Sequence, residues 1–336
     1  MHKVMQRIAL GVLGYGSLML AVNAAELRFN NPLPESRPET KELMKFAEDV
    51  GKNSAGGITI KMHNGGSLGI KDADVLQVLP KGAMDMSLIW ANYLSRDAPA
   101  LGLALVQGAV GTVDELKRAL PVVRQIYDEE LKGWGITATG YLAIPMLEAS
   151  IFCRDQPIKT LADLKSRKLR VWAKEQVATF KRLGIAAQII GQADMYVAMK
   201  TGVVDCAVYP ALYAHTVNMH EVAKYGAFLY PMPSGPYALG MATTKWNALP
   251  EAQRKAITKA ADDTWNRSNE YSADHQKELA AREELKKKGL NWLGDFPEAD
   301  RKQFLEAVSA TWAELAKETG GKAPGYRDRV LKAMGR

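Results

Sequence analysis

The side chains that most often catalyse reactions or bind metals are sparse in this chain, and their spacing matches no known catalytic pattern. Cys153 and Cys206 are its only cysteines and lie 53 residues apart, so neither belongs to a CxxC zinc motif. No HExxH segment, GxSxG elbow or phosphate-binding glycine loop occurs after residue 24. These observations favour a binding protein over an enzyme, and we expect neither a cofactor nor a metal.

Strand and helix patterns alternate along most of the chain. Short apolar runs predict the strands Leu27–Phe29, Ile58–Met62, Met84–Ile89, Ile136–Tyr141, Glu148–Arg154 and Val204–Tyr209. Apolar residues at helical spacing, with capping residues and stop signals, predict the helices Glu39–Asn53, Asp72–Leu79, Val113–Lys132, Lys174–Leu183, Asp194–Thr201 and Glu298–Thr319. Such alternation indicates an α/β fold with parallel or mixed sheets. A length of 336 residues favours two domains.

One helical segment is too long for a single compact domain. Between Pro250 and Gly289 no further proline or glycine interrupts the pattern, and these two residues are typical of a helix start and end. At about 1.5 Å per residue the segment could reach roughly 58 Å. We expect a long helix, or a kinked helix pair, that bridges two lobes. A coiled coil is the alternative, but Ile257, Ala261 and Trp265 do not hold a heptad pattern.

Residues 1–24 have the pattern of a secretion signal. Basic residues precede an apolar run, Ile8–Val22, which is followed by the small residue Ala24. This run is shorter than the roughly 20 residues that a membrane-spanning helix needs. We therefore predict a cleaved signal peptide over 1–24 and a periplasmic location for the mature chain.

The charged residues do not form a pattern typical of nucleic-acid binding. The formal net charge is +7, of which Lys3 and Arg7 supply +2, so +5 remains after residue 24. Basic residues are dispersed apart from Lys286–Lys288, which suit the C-terminal end of a helix. Aromatic residues do not alternate with the basic ones. We expect no nucleic-acid partner.

The most specific pattern is the segment Pro157–Trp172, which reads PIKTLADLKSRKLRVW. It resembles the "kPI.tl.DLKG.K.RV" signature of the solute-binding proteins of tripartite ATP-independent periplasmic (TRAP) transporters, the DctP-like family. Asp194–Asp205 resembles that family's "e.Y.AlqtGvvD" element. Gly66–Gly69 and Gly82–Asp85 match its "g.LG" and "G.lD" elements. The order and spacing of these motifs extend the resemblance over essentially the whole mature chain.

The resemblance implies a two-lobed, venus-flytrap periplasmic binding protein with mixed sheets, hinge strands and a long helix bridging both lobes. Lobe I would comprise 25–147 plus 235–270, and lobe II 148–234 plus 271–336. Such a protein closes around a small organic acid and passes it to the membrane permease subunits of the transporter. We expect a monomer.

Two alternatives stay open. The substrate-binding subunits of ATP-driven importers share the two-lobed plan, but they are not expected to combine the signature around Arg170 with the long helix after Pro250. An exported enzyme would need a converging set of acid and base residues in the cleft, and the sequence offers none that we can name.

In the DctP-like family an arginine at the position of Arg170 clamps the ligand carboxylate. A guanidinium presents a planar fork of donors that binds a carboxylate through two parallel hydrogen bonds. An arginine enclosed in a cleft also needs an anion, because an unpaired buried charge is costly. The alternative is an ordinary surface charge, since Lys165, Arg167 and Lys168 lie close by in the sequence.

A second arginine of the family is missing. Members that bind acidic sugars carry it twenty positions before the first, where this chain has Ser150. We keep Ser150 as a candidate ligand contact. The loss of one guanidinium favours a ligand with a single clamped carboxylate.

Aromatic residues occupy other positions that align with the ligand pocket. Trp90 and Tyr209 replace residues that are often polar in the family, whereas Gln192 replaces an aromatic residue. With Trp172 and Tyr213 as further candidates, these side chains predict a pocket with aromatic walls. An aromatic or otherwise apolar monocarboxylate is therefore favoured. Any one of the rings could instead belong to the hydrophobic core.

The two cysteines also fit the resemblance. Cys153 and Cys206 lie in predicted strands, and some relatives carry cysteines at both places. In an oxidising compartment such a pair can be bridged. We expect a disulfide within lobe II, with two buried thiols as the alternative.

Overall fold

The computed structural model describes residues 25–336, so the predicted signal peptide over 1–24 lies outside the described residues. The chain forms two mixed β-sheets flanked by helices. Its strands are β1 (Ala25–Asn30), β2 (Ile58–His63), β3 (Met86–Ile89), β4 (Ile136–Leu142), β5 (Leu147–Cys153), β6 (Leu169–Val171), β7 (Ala187–Ile189), β8 (Cys206–Pro210), β9 (Tyr225–Met232), β10 (Tyr237–Ala242) and β11 (Asn291–Asp295).

The α-helices alternate with the strands over the first two thirds of the chain and follow one another at its end. They are α1 (Pro38–Asn53), α2 (Val75–Val78), α3 (Pro99–Gly102), α4 (Val113–Gly133), α5 (Leu161–Leu164), α6 (Lys174–Arg182), α7 (Gln192–Thr201), α8 (Ala211–Thr216), α9 (Thr243–Ala248), α10 (Glu251–Ser268), α11 (Asp274–Lys287), α12 (Glu298–Thr319) and α13 (Ala323–Met334). Short 3₁₀ helices cover Asp72–Asp74, Ala91–Leu94 and Met219–Glu221.

The two sheets define two lobes. The first has the strand order β2-β1-β3-β10-β4, and the second has the order β11-β9-β5-β8-β6-β7. The chain leaves the first sheet between β4 and β5 and returns between β9 and β10. We call the body around the first sheet lobe I and the body around the second lobe II. The predicted two-lobed α/β fold is confirmed.

Local sequence explains why the lobe I elements form. In β1 the buried Leu27 and Phe29 alternate with more exposed residues, and the strand pairs in parallel with β2. Helix α1 buries Leu43, Phe46 and Val50, which follow each other at spacings of three and four residues and so share one face. That face packs against β2 and α10.

In lobe II, a capping box begins α5, because the Thr160 side chain accepts from the Asp163 amide while Asp163 accepts from the Thr160 amide. This fixes the loop that leads into β6. β6 lies between β7 and β8 and pairs in parallel with both. Its three residues, Leu169–Val171, are all buried.

The long helical segment takes the kinked form. It consists of α10 and α11, which are separated by residues 269–273. Helix α10 packs against α1 and β4 of lobe I, whereas α11 packs against α8 and β5 of lobe II. The segment therefore bridges the lobes as a helix pair and not as one continuous helix.

Helix α13 returns to lobe I, where it packs against α4. The assignment of all of 271–336 to lobe II, like the other predicted lobe boundaries, stays a prediction. Within residues 25–336, no helix is both long and apolar enough to span a bilayer.

Candidate ligand-binding site

A cavity lies between the two lobes; its empty space, counted together with its opening to solvent, is about 670 Å³. Strand ends from both sheets reach it: Trp90 follows β3 and Trp172 follows β6, while Tyr209 is near the end of β8. The carboxyl ends of strands are the usual place for ligands in α/β folds.

Arg170 is a buried cation without an acidic partner. It is 1% exposed; its Nε donates to the Ile190 carbonyl at 2.9 Å and its Nη1 to the Val208 carbonyl at 3.3 Å. No carboxylate of residues 25–336 lies within 4.0 Å of the guanidinium. Burial lowers the pKa of Arg170. The two carbonyls thus hold the side chain while other N–H groups stay available for an anion.

Aromatic rings surround this guanidinium. Its central carbon lies 5.3 Å from the ring centroid of Trp172 and 5.8 Å from that of Tyr209. The Trp90 ring lies 6.5 Å from Trp172 and 6.1 Å from Tyr237, measured between ring centroids. Rings from both lobes therefore line the cavity, and they could stack on a flat or apolar ligand.

Three further polar groups at the cavity lack partners. The Nε1 atoms of Trp90 and Trp172 and the Nε2 atom of Gln192 are buried and make no hydrogen bond with residues 25–336. Each of these groups is a donor. Because an unpaired buried donor is costly, they indicate a ligand with acceptor oxygens.

A second arginine of the cavity is already neutralised. Arg37 is 2% exposed and pairs with Glu39 through an Nη2–Oε1 contact of 3.1 Å. Its Nη1 also donates to the Tyr209 hydroxyl at 3.2 Å. Burial alone would lower the pKa of Arg37, but the Glu39 carboxylate raises it well above its usual value.

Tyr213 completes this cluster. The guanidinium carbon of Arg37 lies 3.1 Å from the Tyr213 ring centroid, and the Tyr213 hydroxyl donates to Glu39. Arg37 and Glu39 belong to lobe I, whereas Tyr209 and Tyr213 belong to lobe II. We call these four residues the interlobe cluster, because they join the two lobes beside the cavity.

The cavity also contains an acidic residue. Asp72 lies in a 3₁₀ helix of lobe I and lines the same cavity as Arg170. Its carboxylate forms no ion pair or hydrogen bond with a side chain of residues 25–336. Burial raises the pKa of Asp72 to about 6.

Most of the residues predicted for the site meet at this cavity. Those that line it are Arg170, Trp90, Trp172, Gln192, Tyr209 and Tyr213. Ser150 does not: it is fully buried in β5, directly opposite Tyr209 of β8. Opposite residues of an antiparallel pair share one face of the sheet, so Ser150 lies beside Tyr209, but it is not among the residues that line the cavity.

Cys153 and Cys206 lie away from the cavity, also in register between β5 and β8. Their sulfur atoms are bonded to each other. The bridge joins adjacent central strands of the lobe II sheet.

Sequence reasoning missed other lining residues, among them Arg37, Asp72, Tyr93 and Tyr237. Tyr93 had a usable signal, because it follows Trp90 by three residues, the period of the 3₁₀ helix that it lies in. Arg37 lies in a proline-rich loop without periodicity. No local pattern indicates that its charge is buried.

The site is thus a cleft with an unpaired arginine, aromatic walls and contributions from both lobes, as in a two-lobed solute-binding protein. A family model described as DctP, bacterial extracellular solute-binding protein, family 7, matches residues 29–319. The chain belongs to this family.

Among residues 25–336, no group of three or more His, Cys, Asp or Glu side chains could hold a metal ion.

One relative is distant in sequence but similar over nearly its full length. The C4-dicarboxylate-binding periplasmic protein DctP of Rhodobacter capsulatus is 24% identical over 338 residues, covering 94% of this chain and 96% of that protein.

Solved structures of TRAP solute-binding proteins share the fold. DctP7 of Bordetella pertussis, an extracytoplasmic solute receptor binding pyroglutamic acid, gives a TM-score of 0.82 at 18% identity, covering 93% of this chain and 100% of that one. A Roseobacter denitrificans protein with bound β-D-glucuronate gives 0.78 at 22% identity, with coverages of 92% and 98%. The neighbours are transport proteins, and their likeness shows the two-lobed architecture.

Proposed function

We propose that this chain is the periplasmic solute-binding subunit of a TRAP transporter and captures an organic monocarboxylate with an aromatic or otherwise apolar body. The mature chain, after removal of residues 1–24, would act as a monomer and deliver its ligand to the membrane permease. Family membership argues against the alternative role in an ATP-driven importer.

The unpaired state of Arg170 carries this proposal. Of the two arginines at the cavity, Arg37 is neutralised by Glu39, whereas Arg170 is fixed by carbonyl oxygens that carry no net charge. A single free guanidinium matches a single carboxylate. Among the described residues that line the cavity, no other cation is free to pair with a second carboxylate.

The apolar body of the ligand is inferred from the walls. Trp90 of lobe I lies within ring-stacking distance of Trp172 of lobe II and of Tyr237. Leu88, Leu147 and Met232 add aliphatic surface to the same cavity. A ligand covered with hydroxyl groups would place some of them against these ring and aliphatic faces, where an unpaired hydroxyl is costly.

Capture would proceed by closure of the lobes. The carboxylate pairs with Arg170 of lobe II, and the rings of lobe I then cover the ligand. Because the ligand binds the closed state more tightly than the open state, it stabilises the closed state. Micromolar affinity corresponds to about −8 kcal/mol. One charge-assisted clamp and several buried ring contacts can supply this.

Native mass spectrometry of freshly purified protein, followed by a melting-shift screen of organic acids, tests the proposal. We expect the largest shifts with aromatic or branched monocarboxylates, and none with their primary amides, which lack the negative charge. Sugar acids and C4-dicarboxylates serve as the competing classes. A clear shift with a neutral sugar or a cation, and none with any organic acid, would refute the substrate class.

A further inference from the structure

Asp72 gives the cavity a negative charge that a simple carboxylate ligand does not match. It lines the cavity from lobe I, whereas Arg170 lines it from lobe II. Both charges act on the Tyr93 hydroxyl. Burial raises the pKa of Tyr93 most, Asp72 raises it further, and Arg170 lowers it. A ligand in the cavity is therefore exposed to one charge of each sign.

Within residues 25–336, no cation pairs with the carboxylate of Asp72. The two neighbouring acids, Asp74 and Asp97, both pair with Arg96, at 2.8 Å each. Asp72 takes no part in this cluster. Asp72 is partly buried at the cavity, so its unpaired charge has to be protonated or be paired by the ligand.

The charges of the residues at and beside the cavity also balance. Arg37 and Glu39 cancel each other, which leaves one positive charge at Arg170 and one negative charge at Asp72. Burial raises the pKa of Asp72 to about 6, so the carboxyl group is still mostly ionised at pH 7. A ligand with no net charge, but with separated positive and negative groups, complements both.

We propose that the ligand is an amino carboxylate, whose ammonium group pairs with Asp72 while its carboxylate pairs with Arg170. This inference rests on the proposed function, since it accepts Arg170 as the carboxylate clamp. It narrows the substrate class from monocarboxylates in general to zwitterions with an apolar or aromatic body.

Matched ligand pairs provide the test. Isothermal titration would compare phenylalanine with 3-phenylpropanoate, 4-(aminomethyl)benzoate with 4-methylbenzoate, and leucine with 4-methylpentanoate. We expect the amino member of the best-binding pair to bind roughly 10- to 100-fold more tightly than its partner, as for a charge-assisted hydrogen bond. In Asp72→Asn this ratio should fall to about 1.

Asp74→Asn is the matched control, because Asp74 belongs to the same 3₁₀ helix but pairs with Arg96 outside the cavity. It should leave the ratio unchanged. Equal binding of both members, or a ratio that Asp72→Asn does not alter, would overturn the role of Asp72. If the carboxylates then still depend on Arg170, the proposed function stands. If no acid of the series binds, both proposals fail.

Discussion

At the residue scale, the cavity combines side chains that the sequence indicates with others that it does not. Arg170 was predictable because it lies near the end of a run of motif positions, Pro157–Trp172, that resembles one family. Arg37 and Asp72 have no such motif. Their importance depends on burial and on which partner each side chain meets, and neither is encoded in local sequence patterns.

The indole N–H groups provide a prediction at this scale. Trp172→Phe keeps an aromatic ring but removes the unpaired Nε1 donor, so we expect ligand affinity to fall about 5- to 20-fold, in line with one hydrogen bond. Isothermal titration measures the change. Trp292→Phe is the control, because Trp292 packs against Phe152 and does not line the cavity. Unchanged affinity in Trp172→Phe would show that this donor does not meet the ligand.

At the element scale, most helices and strands follow from periodicity, but β9 and β10 were not predicted. Both are buried along nearly their whole length, so their sequences show continuous apolar runs without the alternation of a half-exposed strand. These two strands carry the chain from lobe II back to lobe I. Helix α13 was missed because Pro324 and Gly325 interrupt its first turn.

The disulfide between β5 and β8 is testable at this scale. It closes a segment of 53 residues, for which chain entropy gives a stabilisation of about 4 kcal/mol. The double variant Cys153→Ala and Cys206→Ala should therefore lower the free energy of unfolding by about 2–4 kcal/mol, measured by urea denaturation. Intact-mass analysis of the parent chain should show a gain of two hydrogens on reduction. A mass that reductant leaves unchanged would exclude the bridge.

Glu175, in the first turn of α6, predicts a dependence of stability on pH. Its Oε1 accepts from Asn92 of lobe I at 3.0 Å, Oε2 is unpaired, and burial raises the pKa of Glu175 to about 7. Because the folded-state pKa exceeds the unfolded value, this group makes the fold less stable as pH rises from about 4.5 through about 7.

Glu175→Gln should remove that cost. We expect a gain in the free energy of unfolding of about 1–3 kcal/mol at pH 8 and almost none at pH 4, measured by urea denaturation at both values. The exposed Glu318→Gln serves as the surface control. A difference between Glu175→Gln and the parent chain that does not grow with pH would contradict the buried, ionised carboxylate.

At the scale of the whole molecule, the two lobes are joined by side chains as well as by the chain itself. The resemblance to a family predicted two lobes, whereas chain length alone indicated only two domains. Neither could predict the interlobe cluster, because it depends on how the lobes meet. There Arg37 and Glu39 contact Tyr209 and Tyr213 next to the cavity.

Tyr213→Phe tests whether this cluster stabilises the closed form. The variant keeps the ring beside Arg37 but removes the hydrogen bond to Glu39. A bond worth about 1 kcal/mol should shift the equilibrium toward the open form about fivefold. Small-angle X-ray scattering of the ligand-free protein should show a larger radius of gyration. Tyr225→Phe, in a strand far from the cleft, is the control; equal radii for both variants would argue against the cluster's role in closure.

The central claim is that Arg170 clamps a carboxylate between the lobes. The most direct measurement is isothermal titration of the best-binding organic acid into the parent chain and into Arg170→Gln, with the melting temperature of each ligand-free protein as a check on folding. We predict a loss of at least about 100-fold in affinity for Arg170→Gln, with folding intact. Affinity retained within about threefold would contradict the account and remove Arg170 from the site.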